Sequence, residues 1–170
     1  FTTSLTAGFD IALWDMKGKV ANMPIYDLLG GKYRDAIRLY CNVWFSDCYT
    51  PEDYAEAAKK NLIGKNYEAC KLDPFLEMTP YHTMYQEGFI SQKGEQEGYD
   101  IVAAVRDVVG PSFEILIDAH GHYNVPNAIR LANNLYEKYN IAWFEEPLPP
   151  EGIDALKQVT EGTNAPIFVG

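Results

Sequence analysis

The apolar positions of this chain follow one period at its start and another afterwards. In FTTSLTAGFDIALWDMKGKVANMP, Phe9, Ala12, Leu13, Met16 and Val20 recur at helical spacing and Pro24 lies just past the end, which predicts a helix. IYDLLGG predicts a second, short helix stopped by Gly30 and Gly31. AIRLYCNVWF, residues 36–45, is rich in β-branched and aromatic residues and predicts a strand. Thr50 suits an N-cap, with Pro51 in the first helical position and Asp53 in the first turn; the helix after it carries Tyr54, Ala57, Ala58 and Leu62 on one face. YEACKLD, residues 67–73, predicts a short strand. Residues 74–96 hold Pro74, Pro80, Gly88 and Gly94 among aromatics and predict a long irregular segment, of the kind that is functional or disordered. A helix burying Ile101, Val102, Val105, Val108 and Val109 comes next, then the strand FEILID and a helix over 124–140 with Pro126 in its first turn. IAWFEEP, EGIDALKQVTEG and APIFVG predict strand, helix and strand.

Strands and helices therefore alternate, and the strands are short and apolar almost throughout. That is the pattern of a parallel sheet covered by helices. CNVWFSDCYT, after the first expected strand, has neither GxGxxG nor Walker spacing, which favours a (β/α) barrel over a nucleotide-binding sheet. The one boundary suggested by composition falls near residue 32, dividing 1–32 from 33–170. Hydrophobic residues make up 47% of the chain, enough for a real core. Fourteen basic against 24 acidic side chains give a formal charge of −10, which argues against nucleic acid or an anionic membrane as partner. An anionic ligand would then need a local cation. Cys41, Cys48 and Cys70 are odd in number and lack metal-ligand spacing, which predicts reduced thiols in a reducing compartment, the cytoplasm. No apolar run is long enough to span a bilayer and no signal-peptide pattern occurs. The chain opens on Phe1 and closes on Gly170 directly after PIFV, so both ends read as cuts in a longer chain.

The candidate chemistry sits where the strands end. One ends CKLDP with Lys71 and Asp73, the next IDAHG with Asp118 and His120, the next FEEP with Glu145 and Glu146. Residues two apart in an extended chain share a face, and parallel strands bring all these ends to one edge, where α/β enzymes place their sites. Carboxylates crowded there repel, and one would hold its proton unless a cation intervened. A hard divalent ion such as Mg²⁺ takes oxygen ligands, and Lys71 adds a second cation, so the constellation predicts a metal-assisted site for a small-molecule carboxylate. Singly, each residue has a plainer role: Asp118 as a helix cap, Glu145 and Glu146 as a solvated strand end, His120 as a partner for a carbonyl, Lys71 as a snorkelling chain. Their succession on one edge decides for a site. His122 faces either that site or solvent. His82, with Tyr81 and Tyr85, reads as surface packing more than pocket lining, and Trp14 and Trp44 read as core. The faces taken by Trp143 and Phe144 are not fixed by the pattern.

The blocks GFDIALWDMKGKVANMPIYDLLGG, KLD, IDAHG, WFEEP and FVG, in this order, resemble the enolase superfamily in its mandelate racemase-like subgroup, over essentially the whole chain. The resemblance implies an α/β fold: residues 1–32 as the last helices of an α+β capping domain, and 33–170 as the first half of a (β/α)8 TIM-type barrel, about strands one to five. It matches Asp118 and Glu145 to metal ligands, with a third acid ligand and the general base expected past Gly170. Lys71-Leu-Asp73 stands where racemases and cycloisomerases carry Lys-x-Lys; in the other register Lys71 takes the second position and Ala69 the first. Asp118-Ala-His120 resembles the Asp-x-His of galactonate- and mannonate-type dehydratases, whose histidine protonates the departing hydroxyl. The implied function is a Mg²⁺-dependent dehydratase of an aldonate or aldarate, taking the proton α to the carboxylate through a metal-stabilised enediolate. Lys71 and His120 would be catalytic, with Asp73, His122 and Glu146 facing substrate and no organic cofactor. The rivals are a racemase, epimerase or cycloisomerase of the same superfamily, and a non-catalytic half barrel with raw sheet edges. The fragment alone is expected to be inactive, and the complete protein a homo-oligomer.

Overall fold

A computed structural model of the chain describes residues 2–76 and 88–169. These fall into two compact units, up to Arg38 and from Leu39 onward.

In the first unit, α1 (Thr2–Ala21) and α2 (Ile25–Leu28) form a helical hairpin. The turn closes where the Met23 N–H donates to the Gly18 carbonyl at 3.0 Å, and Pro24 opens α2. Trp14 is half-buried on α1. Gly31 N–H donates back to the Tyr26 carbonyl at 2.8 Å, ending α2 in the way its two glycines predict.

The second unit is a parallel sheet of four strands in sequence order: β1 (Ala69–Leu72), β2 (Glu114–Asp118), β3 (Trp143–Glu145) and β4 (Ile167–Phe168). Helix α3 (Pro51–Asn61) precedes β1; α4 (Gln92–Val109), α5 (Val125–Tyr139) and α6 (Ile153–Gly162) lie between successive strands. This parallel α/β arrangement is that of a partial TIM-type barrel. The N-caps follow the sequence signals. Thr50 and Asp53 form a reciprocal capping box with Pro51 at the helix start, and Asn124 caps α5.

The register explains which side chains reach the site. Cys70, Leu72, Ile115, Ile117 and Phe144 are fully buried in one apolar cluster with Val102, Val105, Leu131 and Leu135 of the helices. The alternate positions, Lys71, Leu116, Asp118, Trp143 and Glu145, occupy the other face. Asp118 pairs directly with Glu145, and Glu145 with Phe168.

Two expectations need correction. Residues 36–45 do not form a strand: only Cys41 pairs, in a single parallel bridge to Cys70, with Cys41 N–H on the Ala69 carbonyl and Lys71 N–H on the Cys41 carbonyl. Pairing stops because Val43 takes φ 56° and a turn through Asp47 (φ 64°) leads the chain away. The Asn42 side chain accepts from the Val43 N–H at 2.8 Å, giving the backbone a local alternative to the ladder. The expectation of an irregular segment over 74–96 fails at its end, where residues 92–96 are helical; residues 77–87 lie outside the described residues. Ser91 accepts from Gly94 N–H at 3.0 Å and starts α4 at Gln92, so Gly94 and Gly98 lie within the helix. Gly98 is required for packing, since a Cβ there would overlap the Phe75 ring.

Candidate active site

Five of the expected residues are joined in one polar chain, with Asp118 at its centre contacted through both carboxylate oxygens. Lys71 leaves β1 with its stem buried, and its Nζ donates to Asp118 Oδ2 at 2.8 Å and Glu145 Oε1 at 3.1 Å. Asp118 Oδ1 faces the other way, accepting from the His120 backbone N–H at 3.0 Å and lying 3.3 Å from His120 Nδ1. His120 Nε2 meets Asp73 Oδ2 at 2.9 Å. The result is a continuous chain from Glu145 through Lys71, Asp118 and His120 to Asp73. It borders a cavity of about 780 Å³ lined on one side by Lys71, Asp73, Asp118, His120 and His122.

The route by which His120 arrives differs from simple strand alternation. β2 ends at Asp118, and His120 (φ 49°) and Gly121 (φ 70°) are left-handed. Gly121 N–H donates to the Glu146 carbonyl at 2.7 Å and His122 N–H to the Ala119 carbonyl at 3.1 Å. A tight turn, not the pleat, folds the imidazole back over Asp118. Asp73 likewise stands one residue beyond β1.

Electrostatics follow from these contacts. Burial disfavours the Lys71 ammonium, yet the hydrogen bonds and charges of Asp118 and Glu145 outweigh it and hold its pKa above that of an ordinary lysine. The Asp73 hydrogen bond raises the His120 pKa against the opposing effect of burial. Burial lowers that of His122, whose ring centroid lies 6.3 Å from that of His120. The two imidazoles are thus biased toward opposite protonation states, the arrangement that separates proton donors from acceptors.

Among the described residues, the carboxylate and imidazole atoms of Asp73, Asp118 and His120 lie within 4.8 Å of one another and form a potential metal-ligand group. Glu145 is linked to Asp118 through Lys71 instead. Neither Glu145 nor Glu146 lines the cavity; Glu146 contributes its backbone, accepting from Gly121 and donating to the Phe168 carbonyl at 2.9 Å. His82 lies outside the described residues. Sequence reasoning missed three features. Residues 42–49 supply the opposite wall of the cavity, including Asn42, Val43, Phe45 and Asp47. Trp44, buried as expected, also donates its indole N–H to the Lys71 carbonyl at 2.9 Å. Trp143 donates to Glu145 Oε2 at 3.1 Å, a contact for which the two-residue spacing on a strand was the available signal.

Comparison with known proteins bears on this geometry. The model of the family described as "Enolase C-terminal domain-like" matches residues 53–170, and that of the "Mandelate racemase / muconate lactonizing enzyme, N-terminal domain" matches residues 1–30. This chain belongs to the enolase superfamily. Among its superfamily relatives, D-gluconate dehydratase of Thermoproteus tenax is 38% identical over 170 residues, covering 99% of this chain and 32% of that protein. D-gluconate/D-galactonate dehydratase of Picrophilus torridus is 36% identical over 170 residues, covering 99% of this chain and 40% of that protein. The chain thus spans well under half the length of these curated relatives. The crystal structure of a member of the enolase superfamily from Salmonella Typhimurium superposes with a TM-score of 0.83 at 35% identity, over 96% of this chain and 44% of that one.

Proposed function

We propose that the protein containing this chain is a Mg²⁺-dependent dehydratase of a sugar acid. The observation that carries the reading is the joined set Lys71, Asp118, Glu145, His120 at the carboxyl ends of parallel strands, against a cavity of substrate size. Dehydration of gluconate and galactonate, named for two relatives, is the chemistry this set suits.

The donors fit a hard divalent cation. Asp118 Oδ2 and Glu145 Oε1 converge on a single point, at present shared by the Lys71 ammonium, so two carboxylates share one ammonium and leave surplus negative charge there. Oxygen-only carboxylate donors suit Mg²⁺. We assign Asp118 and Glu145 as the residues that would hold it; bound there, it would act as a Lewis acid on the substrate carboxylate.

The chain's own residues supply the rest. Lys71, held charged, faces the negative charge that grows on the substrate carboxylate as its α-hydrogen leaves. His120, whose protonated form is favoured by Asp73, donates to the departing β-hydroxyl, which leaves as water. His122 and Asp73 line the cavity beside it and would contact the sugar hydroxyls. Free Cys41, Cys48 and Cys70 support a reducing compartment, the cytoplasm. Among the described residues no helix is long and apolar enough to cross a membrane. Homo-oligomerisation of the intact protein is a further expectation, open to sedimentation analysis.

The test is to express the natural full-length protein and screen aldonic and aldaric acids with Mg²⁺ for 2-keto, 3-deoxy products. At least one acid is expected to lose water, and His120→Gln to slow elimination by roughly 10²–10⁴-fold while α-hydrogen exchange with deuterated water persists. Products that retain their water, merely epimerised or cyclised, would sink the dehydratase reading.

A further inference from the structure

We propose that Trp143 is a positioning residue for Glu145: its indole N–H fixes one carboxylate oxygen so that the other is presented toward Asp118. The inference rests on the metal-dependent reading above, in which Glu145 is a ligand. Trp143 and Glu145 are two apart on β3 and share its face, and Trp143 Nε1 donates to Glu145 Oε2 at 3.1 Å. Glu145 Oε1 is left for the opposite side, where Lys71 Nζ sits 3.1 Å away and Asp118 beyond it. The carboxylate is therefore held at both oxygens from two directions, which fixes its plane.

The donor is itself held in place. The Trp143 ring lies 4.5 Å from the ring of Phe168, tilted by 30°, and meets Tyr40 edge-on at 5.8 Å. Phe168 pairs with Glu145 in the sheet, so neighbouring backbones support both partners. Tyr40 also lies near Lys71, whose Nζ is 5.9 Å from its ring centroid. An indole is a neutral donor. It orients the carboxylate without cancelling its charge, so the full negative charge remains for a cation, whereas a second ammonium at that place would compete with one. Outer partners that orient a ligating carboxylate typically change metal affinity by about 10–100-fold when lost.

The test compares wild type and Trp143→Phe in the natural full-length protein. Phenylalanine keeps an aromatic ring to pack against Phe168 and Tyr40 and removes only the N–H. Calorimetric titration with Mg²⁺, and with Mn²⁺ as a second probe, is expected to show affinity reduced by roughly 10-fold or more. The unfolding midpoint in EDTA should stay near that of wild type, which a merely structural role would not predict. Equal affinities for the two proteins overturn the positioning role and leave the metal-dependent reading standing; a wild type that binds neither ion overturns both. If Trp143→Phe lowers the midpoint in EDTA, the indole N–H resonances carry the test. Glu145→Gln should shift that of Trp143 and leave those of Trp14 and Trp44 in place, and a Trp143 resonance that does not move overturns the proposal.

Discussion

Asp73 and Asp118 hold the His120 imidazole from two sides, at 2.9 Å on Nε2 and 3.3 Å on Nδ1. The raised His120 pKa follows first from the Asp73 hydrogen bond, with burial opposing it. A folded value above the unfolded one, about 6.5, stabilises the fold below that pH, and the contribution fades as pH rises through the folded value. In metal-free protein, Asp73→Asn should return the His120 titration midpoint toward its ordinary value and remove this extra stability on the acid side. Histidine resonances followed by NMR against pH check it, and an unmoved His120 midpoint would contradict the assignment of Asp73. Asp73 and His120 were legible in the sequence as candidate site residues. Their mutual contact was not, because it depends on the left-handed turn at His120 and on the spacing of β1 and β2.

At the scale of elements, α4 and α5 are tied by one polar cluster on the helical layer. Arg130 Nη2 and Nε donate to Glu95 Oε2 at 2.8 and 3.0 Å, Tyr99 Oη donates to Glu95 Oε1 at 2.7 Å, and Asn134 donates to Tyr99 Oη at 3.0 Å. Burial alone would raise the Glu95 pKa, but the hydrogen bonds from Arg130 and Tyr99 prevail and hold it below the usual carboxylate range. A depressed value means stability present above the unfolded pKa, about 4.3, and lost as pH falls through the folded one. Glu95→Gln should therefore cost roughly 1–3 kcal/mol at neutral pH, the scale of charge-assisted hydrogen bonds, and flatten the acid limb of stability. Urea unfolding at several pH values measures this; parallel acid limbs in the two proteins would refute it. The helices themselves were readable from period and caps. The first expected strand failed because β-branched and aromatic composition is only a weak guide to pairing, and Val43 with Asn42 turns the chain out after one bridge.

At the scale of the whole molecule, the sheet has β4 at one end and the single Cys41 bridge flanking β1 at the other. Phe168 and Val169 are exposed at the β4 end. Unpaired strand edges beside apolar side chains template association. The 170-residue chain by itself is expected to self-associate as its concentration rises, and Val169→Lys to reduce this by placing a charge at the edge. Sedimentation velocity over a concentration series decides it; a chain that stays monomeric throughout would show that these edges are protected in some other way.

The sequence alone determined the alternation of strands and helices, the parallel sheet, the helix caps and the set of charged residues at the strand ends. It could do so because period, capping chemistry and the polarity of strand termini are local properties, written within a few residues of one another. Only the tertiary structure decided which of those charges touch: that Lys71 lies between Asp118 and Glu145, that His120 turns back between Asp118 and Asp73, and that residues 42–49 wall the cavity. These contacts depend on sheet register and on backbone turns that bring together residues tens of positions apart, and the pattern along the chain carries no measure of either.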